Sequence, residues 1–136
     1  MSELSPVLAY TFALLGPPKK EFRKYQNIIL KSRNPVYLFL FASVPGADVK
    51  KIQKILEPFM DAVMAYKFAL SVPDADILRL QRIVVRDARR FRDAKIAYQF
   101  ARDVVGSELD VLEAAVHRVG DAGWTKAFAM FVRGES

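Results

Sequence analysis

The sequence predicts an all-α chain of stacked helix-turn-helix repeats forming a small α-solenoid, and three observations carry that expectation. The stretch AYKFALSVPDADILRLQ at 65–81 has a near-double in AYQFARDVVGSELDVLE at 97–113. Within each copy the apolar residues recur at helical rather than alternating spacing. Between the apolar runs, proline and aspartate gather where helices begin.

The repeat sets the organisation. Phe-Ala pairs stand at Phe12-Ala13, Phe68-Ala69, Phe100-Ala101 and Phe128-Ala129. The first two lie 56 residues apart, twice 28, and SVPGAD at 43–48 precedes SVPDAD at 71–76 by 28, marking the unit between them. The later steps are 32 and 28, so units start near residues 7, 35, 63, 95 and 123, the last being half a unit. A single helix pair of this size cannot bury its apolar faces, whereas a stack of four or five makes a continuous core. Residues 1–136 fit one such domain.

The elements follow in order. Helices are predicted at 5–15, 19–32, 35–43, 47–60, 62–72, 75–90, 94–104, 108–119 and 121–132. Pro17-Pro18, Pro45 and Pro73 fall at or just before helix starts, where a missing N–H costs least. Within 61–72, Ala62, Ala65, Tyr66, Ala69, Leu70 and Val72 trace one helical face, and after PDAD the residues Ile77, Leu80, Ile83 and Val84 trace another. Asp48, Asp76 and Glu108 open the second helix of their units, where a carboxylate meets exposed N–H groups and the positive end of the dipole. RDARRFRD at 86–93 holds the surplus of the 32-residue step, as an extra helical turn or a longer loop. GDAGW at 120–124 is a loop with a helix cap. Phe68, Ala69, Ile83, Phe100, Ala101 and Leu112 are expected to be buried.

The phrases AYKFALSVPDADILRLQ and AYQFARDVVGSELDVLEAAV resemble a short helical repeat of about 28–32 residues, Y-x-F-A-x-x-V-x-G-A-D-x-x-x-L, found in bacterial and phage proteins. The resemblance spans nearly the whole chain, most clearly in units two to four. It lapses at Val105-Gly106-Ser107, where proline and alanine are lost, and at Gly16, where valine is expected. It implies a HEAT-like stacked-helix fold and no common chemistry.

Composition narrows the classes. No cysteine is present, which excludes disulfides and thiolate metal sites. The apolar start of MSELSPVLAYTFALLGPP lacks a basic leader and carries Glu3 in its place, and it has no A-x-A cleavage site. No run reaches the length of about 18 apolar residues that a membrane helix needs; PVYLFLFASVPGA fits a buried helix. The expectation is a soluble, cytoplasmic protein with no membrane contact.

Candidates for chemistry are few. His117 is the only histidine, and on the apolar side of VLEAAVHRV it has neither a nucleophile nor a second histidine at motif spacing. The in-register carboxylates Asp48, Asp76 and Glu108 are explained together as caps. Neither G-x-x-x-x-G-K-[ST] nor G-x-G-x-x-G occurs. Phe12, Phe68, Phe100 and Phe128 form a core column, and the hydroxyls of Tyr10, Tyr66 and Tyr98 emerge at its edge, where a base could stack. The chain is expected to be no enzyme and to hold no metal or cofactor.

The cations are more informative. The net charge is +6, but residues 17–95 hold 17 Lys and Arg against 8 Asp and Glu, whereas 96–136 hold 4 against 6. Shifted by the repeat, Arg23, Lys51 and Arg79 share one position of the second helix, and Lys54 and Arg82 share another with Gln26. Val111 and Ala114 interrupt both columns in the fourth unit. Arg86, Arg89, Arg90 and Arg92 extend the row, and Lys19, Lys20 and Lys24 thicken its other end. The partner-binding residues are thus expected to be Arg23, Lys51, Lys54, Arg79, Arg82, Arg86, Arg89 and Arg90. A plain solvated face explains exposed lysines and arginines, but not the scarcity of acids among them. Two partners suit such a row: an acidic protein surface, or the phosphate backbone of nucleic acid bound without base readout. The final half unit, with Trp124, Phe128 and Phe131, fits either a cap or a contact with a second copy, which leaves the oligomeric state open.

Overall fold

The computed structural model describes residues 4–134; residues 1–3, Glu3 among them, and residues 135–136 lie outside the described residues. Among the described residues there are nine α-helices and no strand: α1 (Pro6–Leu14), α2 (Lys19–Ser32), α3 (Pro35–Phe41), α4 (Val49–Leu56), α5 (Ala62–Ser71), α6 (Ile77–Phe91), α7 (Ala94–Asp103), α8 (Leu109–Val119) and α9 (Ala122–Val132). A 3-10 turn at Glu57–Phe59 follows α4. The helices fall into two compact units. The first comprises the chain up to Phe59 with Val72–Ala75, and the second Met60–Ser71 with the chain from Asp76 onward.

Short polar side chains start nearly every helix. Asp48 accepts from the Lys51 N–H at 3.2 Å and Asp76 from the Arg79 N–H at 3.3 Å, as expected. Glu108 stands at the same position of α8, yet its carboxylate makes no capping bond. Its longer side chain instead accepts from Gln81 Nε2 at 3.0 Å. The first helices have a series of caps of their own. Asn34 accepts from the Val36 N–H at 3.0 Å, Asp61 from Met64 at 2.8 Å, Asp93 from Ile96 at 3.3 Å and Asp121 from Trp124 at 3.1 Å.

The ends are equally defined. Arg33 and Arg92 adopt left-handed backbone, φ 49° and 53°, and close α2 and α6, a conformation that costs a side-chain-bearing residue roughly 1–2 kcal/mol. At Val105-Gly106-Ser107, where proline is lost, Gly106 at φ 91° turns the chain, as Gly46 does at φ 90°.

In the first unit α1 packs on α2 and α3, α2 on α3, and α3 on α4. Ile29, Leu38, Phe41, Ile52 and Leu56 are fully buried there. Phe12, expected in the core column, is only half-buried and lies 5.9 Å from the Tyr25 ring. Phe41, from the Phe41-Ala42 pair, is the fully buried aromatic instead. In the second unit α5 packs on α6 and α7, α6 on α7 and α8, α7 on α8 and α9, and α8 on α9. Phe68, Phe100 and Phe128 are fully buried, and Ile83, Ala101 and Leu112 are buried as expected. Ala69 is half-buried. At 15 residues, α6 also resolves the RDARRFRD surplus as an extra helical turn.

Four polar side chains are buried with these cores: Gln26, Gln53, Gln81 and Asp87. Gln26 Oε1 accepts from the Asp48 N–H at 2.7 Å, and Gln81 Oε1 accepts from the Glu108 N–H at 2.7 Å. Each therefore satisfies a backbone donor at the start of the next second helix within its unit. Gln53 donates to Glu57 at 3.0 Å. Asp87 accepts from the Ala62 N–H at 2.9 Å and so supplies a partner to an orphan donor in the first turn of α5. No buried side-chain nitrogen or oxygen among the described residues lacks a partner.

Candidate functional site

The Asp76 cap fixes where α6 begins, and 3.6 residues per turn does the rest. Leu80, Gln81, Ile83, Val84, Asp87 and Ala88 turn inward and are buried. Arg79, Arg82, Arg86 and Arg89 recur at three- and four-residue steps on the opposite side, with Arg90 beside them, and all five are exposed. In the first unit Arg23, Lys51 and Lys54 are exposed as well. Gln26, aligned by sequence with Lys54 and Arg82, is not part of an exposed column. It is buried like Gln53 and Gln81, and counted from these glutamines Lys24, rather than Arg23, occupies the helix position of Lys51 and Arg79.

Four of the cations line a groove within the second unit. Arg82, Arg86, Arg89 and Arg90, with Leu78, Gln81 and Val85 of α6, meet Glu108 and Val111 at the start of α8 around an open space of about 890 Å³. Leu78 is 46% and Val111 38% exposed, so the groove has an apolar floor as well as a basic rim. Among the described residues Glu108 is the only acid in its lining, and it is held by Gln81.

The arginines are not equivalent. Arg86 is anchored, with Nε 2.9 Å from Asp87 Oδ1 and Nη2 donating to the Met60 carbonyl at 3.2 Å. The Arg90 guanidinium lies 5.3 Å from the centre of the Phe91 ring. Arg82 and Arg89 form no ion pair with any described residue. Arg79 stands outside the lining.

A smaller groove of about 420 Å³ belongs to the first unit. Lys19, Phe22, Arg23 and Gln26 of α2 and Pro45 and Gly46 ahead of α4 form much of its wall. Lys51 and Lys54 do not line it. Both grooves thus lie beside a second helix, over a buried glutamine that holds the start of the next.

The first helices of the second unit carry a polar cluster. Arg102 grips its neighbour Asp103 with two bonds, Nε to Oδ1 at 2.7 Å and Nη2 to Oδ2 at 2.8 Å. The Tyr66 hydroxyl on α5 donates to the same carboxylate. The Arg102 bonds, followed by the Tyr66 bond, pull the Asp103 carboxyl down to about 2, and the bond to Asp103 pushes the Tyr66 hydroxyl up. Arg102 also lies 5.4 Å from the centre of the Tyr98 ring, and Trp124 approaches the same ring at 5.5 Å. Tyr66 and Tyr98 are therefore engaged within the unit.

His117 is exposed in the last turn of α8, because the face that turns inward is Leu112, Ala115 and Val116. No group of three or more His, Asp and Glu among the described residues is arranged to hold a metal ion. No described helix is long and apolar enough to cross a membrane.

The fold and this surface define a class by architecture alone: among the described residues, an all-helical chain with an arginine-lined groove between α6 and α8. No family model, curated protein or solved structure matches the chain.

Proposed function

We propose that the helix pairs are units of a HEAT-like helical repeat of the α-solenoid kind, and that the chain is a non-enzymatic binding module whose basic second-helix surface takes an acidic protein partner. The packing of α5–α6 on α7–α8 within the second unit supports the repeat. The observation that carries the function is the mixed lining of the α6–α8 groove. Phosphates would be served by the arginines alone, whereas exposed Leu78 and Val111 contribute only when an apolar surface covers them. Nucleic acid is the second reading, supported by Arg82 and Arg89, which suit phosphate bidentately. Against it, the groove lining contains no aromatic side chain on which a base could stack.

Salt dependence separates the two. An acidic peptide and a labelled oligonucleotide, each titrated at about 50 and 200 mM salt, should behave differently. The peptide should bind more tightly and keep an apolar component at the higher salt. Arg82→Glu with Arg89→Glu should weaken it at least about tenfold, since each reversal turns attraction into repulsion. Preferential oligonucleotide binding, with a log–log slope of about −0.9 per phosphate contact, would overturn the protein reading. An unaltered affinity in the double variant would leave this surface as a solvated face.

A further inference from the structure

We infer that the occupant of the α6–α8 groove is an acidic amphipathic helix, an inference that rests on the protein-binding reading of this face. Charge complementarity supplies the first argument: four arginines line the groove and one carboxylate, Glu108, stands at its end. A partner must therefore bring acids. The apolar floor supplies the second. Leu78 and Val85 are seven residues apart on α6, two turns or about 10 Å, and Val111 adds a third point from α8. A docked helix presents apolar residues at the same two-turn interval and flanks them with a polar face.

Backbone chemistry favours a helix over an extended segment, whose N–H and C=O groups would rely on water in this open groove. A strand laid over an apolar floor needs outside partners for its N–H and C=O groups, which a sheet edge would provide. The described residues offer no strand. A helix satisfies these groups internally.

The test uses the full chain and three fluorescent probes of similar length. One is a peptide of about sixteen residues with leucines on a single helical stripe flanked by glutamates. The second permutes the same residues so that leucines fall on every side, and the third is a thymidine oligonucleotide. The striped peptide should bind at least about tenfold more tightly than the permuted one. Leu78→Ser with Val111→Ser, both at partly exposed positions, should remove most of that preference while the helical circular dichroism persists. Equal binding of both peptides overturns the helical occupant but keeps the protein reading. Binding of neither peptide, or tighter binding of the oligonucleotide, overturns both. A preference that survives the double serine variant places the peptide elsewhere and overturns the inference.

Discussion

Gln81 and Glu108 hold each other by two bonds of opposite direction. The glutamine carbonyl accepts the Glu108 backbone N–H at 2.7 Å, and its amide donates to the Glu108 carboxylate at 3.0 Å. In the first unit Gln26 makes the first of these bonds to Asp48, also at 2.7 Å. A side chain on one second helix thus fixes the start of the next without disturbing either helical ladder.

Gln81→Leu should preserve the shape of the core but leave the Glu108 N–H without its acceptor. The expected loss is about 0.5–1.5 kcal/mol, the net worth of a hydrogen bond at a half-buried site. Urea denaturation at neutral pH checks it, and Gln81→Glu, which keeps an acceptor but sets a second carboxylate against that of Glu108, should lose at least as much as Gln81→Leu. A loss below about 0.5 kcal/mol would show that water replaces the bond without cost.

Asp87 should behave likewise for α5. Asp87→Ala removes the acceptor of the Ala62 N–H and the partner of Arg86. It should cost about 1–3 kcal/mol, most of it from the orphaned backbone donor. Asp87→Asn keeps a carbonyl oxygen there and should recover more than half of the loss. The comparison is read from the two denaturation midpoints.

Phe100 has no exposed surface. Phe100→Ala should cost about 3–5 kcal/mol, the range for a truncated core aromatic. A loss under about 1 kcal/mol in the same assay would contradict its place in the core.

Asp103 sets a pH dependence. Its folded-state pKa lies near 2, below the ordinary 3.8, chiefly because Arg102 donates to it and also because Tyr66 does. The stability it contributes is present above about pH 4 and is lost as pH falls through its folded-state value. Tyr66, raised above 10 mainly by its bond to Asp103, contributes stability below about pH 10 that is lost as pH rises through its folded value. Arg102 is 44% exposed at its side chain, so water screens the pair and the acid-side effect stays within about 1 kcal/mol. Thermal melts from pH 5 to pH 2 should show a smaller decline for Asp103→Asn than for wild type.

Much of the fold is legible because helix starts have local chemistry. SVPGAD and SVPDAD bring proline and aspartate to the heads of α4 and α6, and the helical spacing of Ile77, Leu80, Ile83 and Val84 gives the buried face of α6. Asp61, Asp93 and Asp121 begin first helices too, but Asp-Ala also occurs at 74–75 and, inside α6, at 87–88, so the pair alone does not single those starts out. The buried glutamines are less legible. A polar residue beside a column of cations suggests a surface, and Gln26 is buried because a backbone donor at Asp48 needs its oxygen. The groove is less legible still. Val111 interrupts the cation columns, yet in three dimensions it is the apolar wall that α8 sets beside the arginines of α6.

The added turn of α6 has a further consequence. From one helix-start residue to the next, Asp48 to Asp61 across α4 and its 3-10 turn and Glu108 to Asp121 across α8 are thirteen positions apart, whereas Asp76 and Asp93 across α6 are seventeen. Four residues advance a helix by little more than one full rotation, so an insertion of this length leaves every later side chain nearly in phase. It asks nothing of the joints, where Arg92 and Asp93 complete the reversal as Arg33 and Asn34 do after α2. Positions 88–91 contain Arg89 and Arg90, half of the groove's basic rim. The reach of the surface is therefore adjustable in increments of one turn, and lengthening a second helix offers a route to a longer rim with no change of architecture.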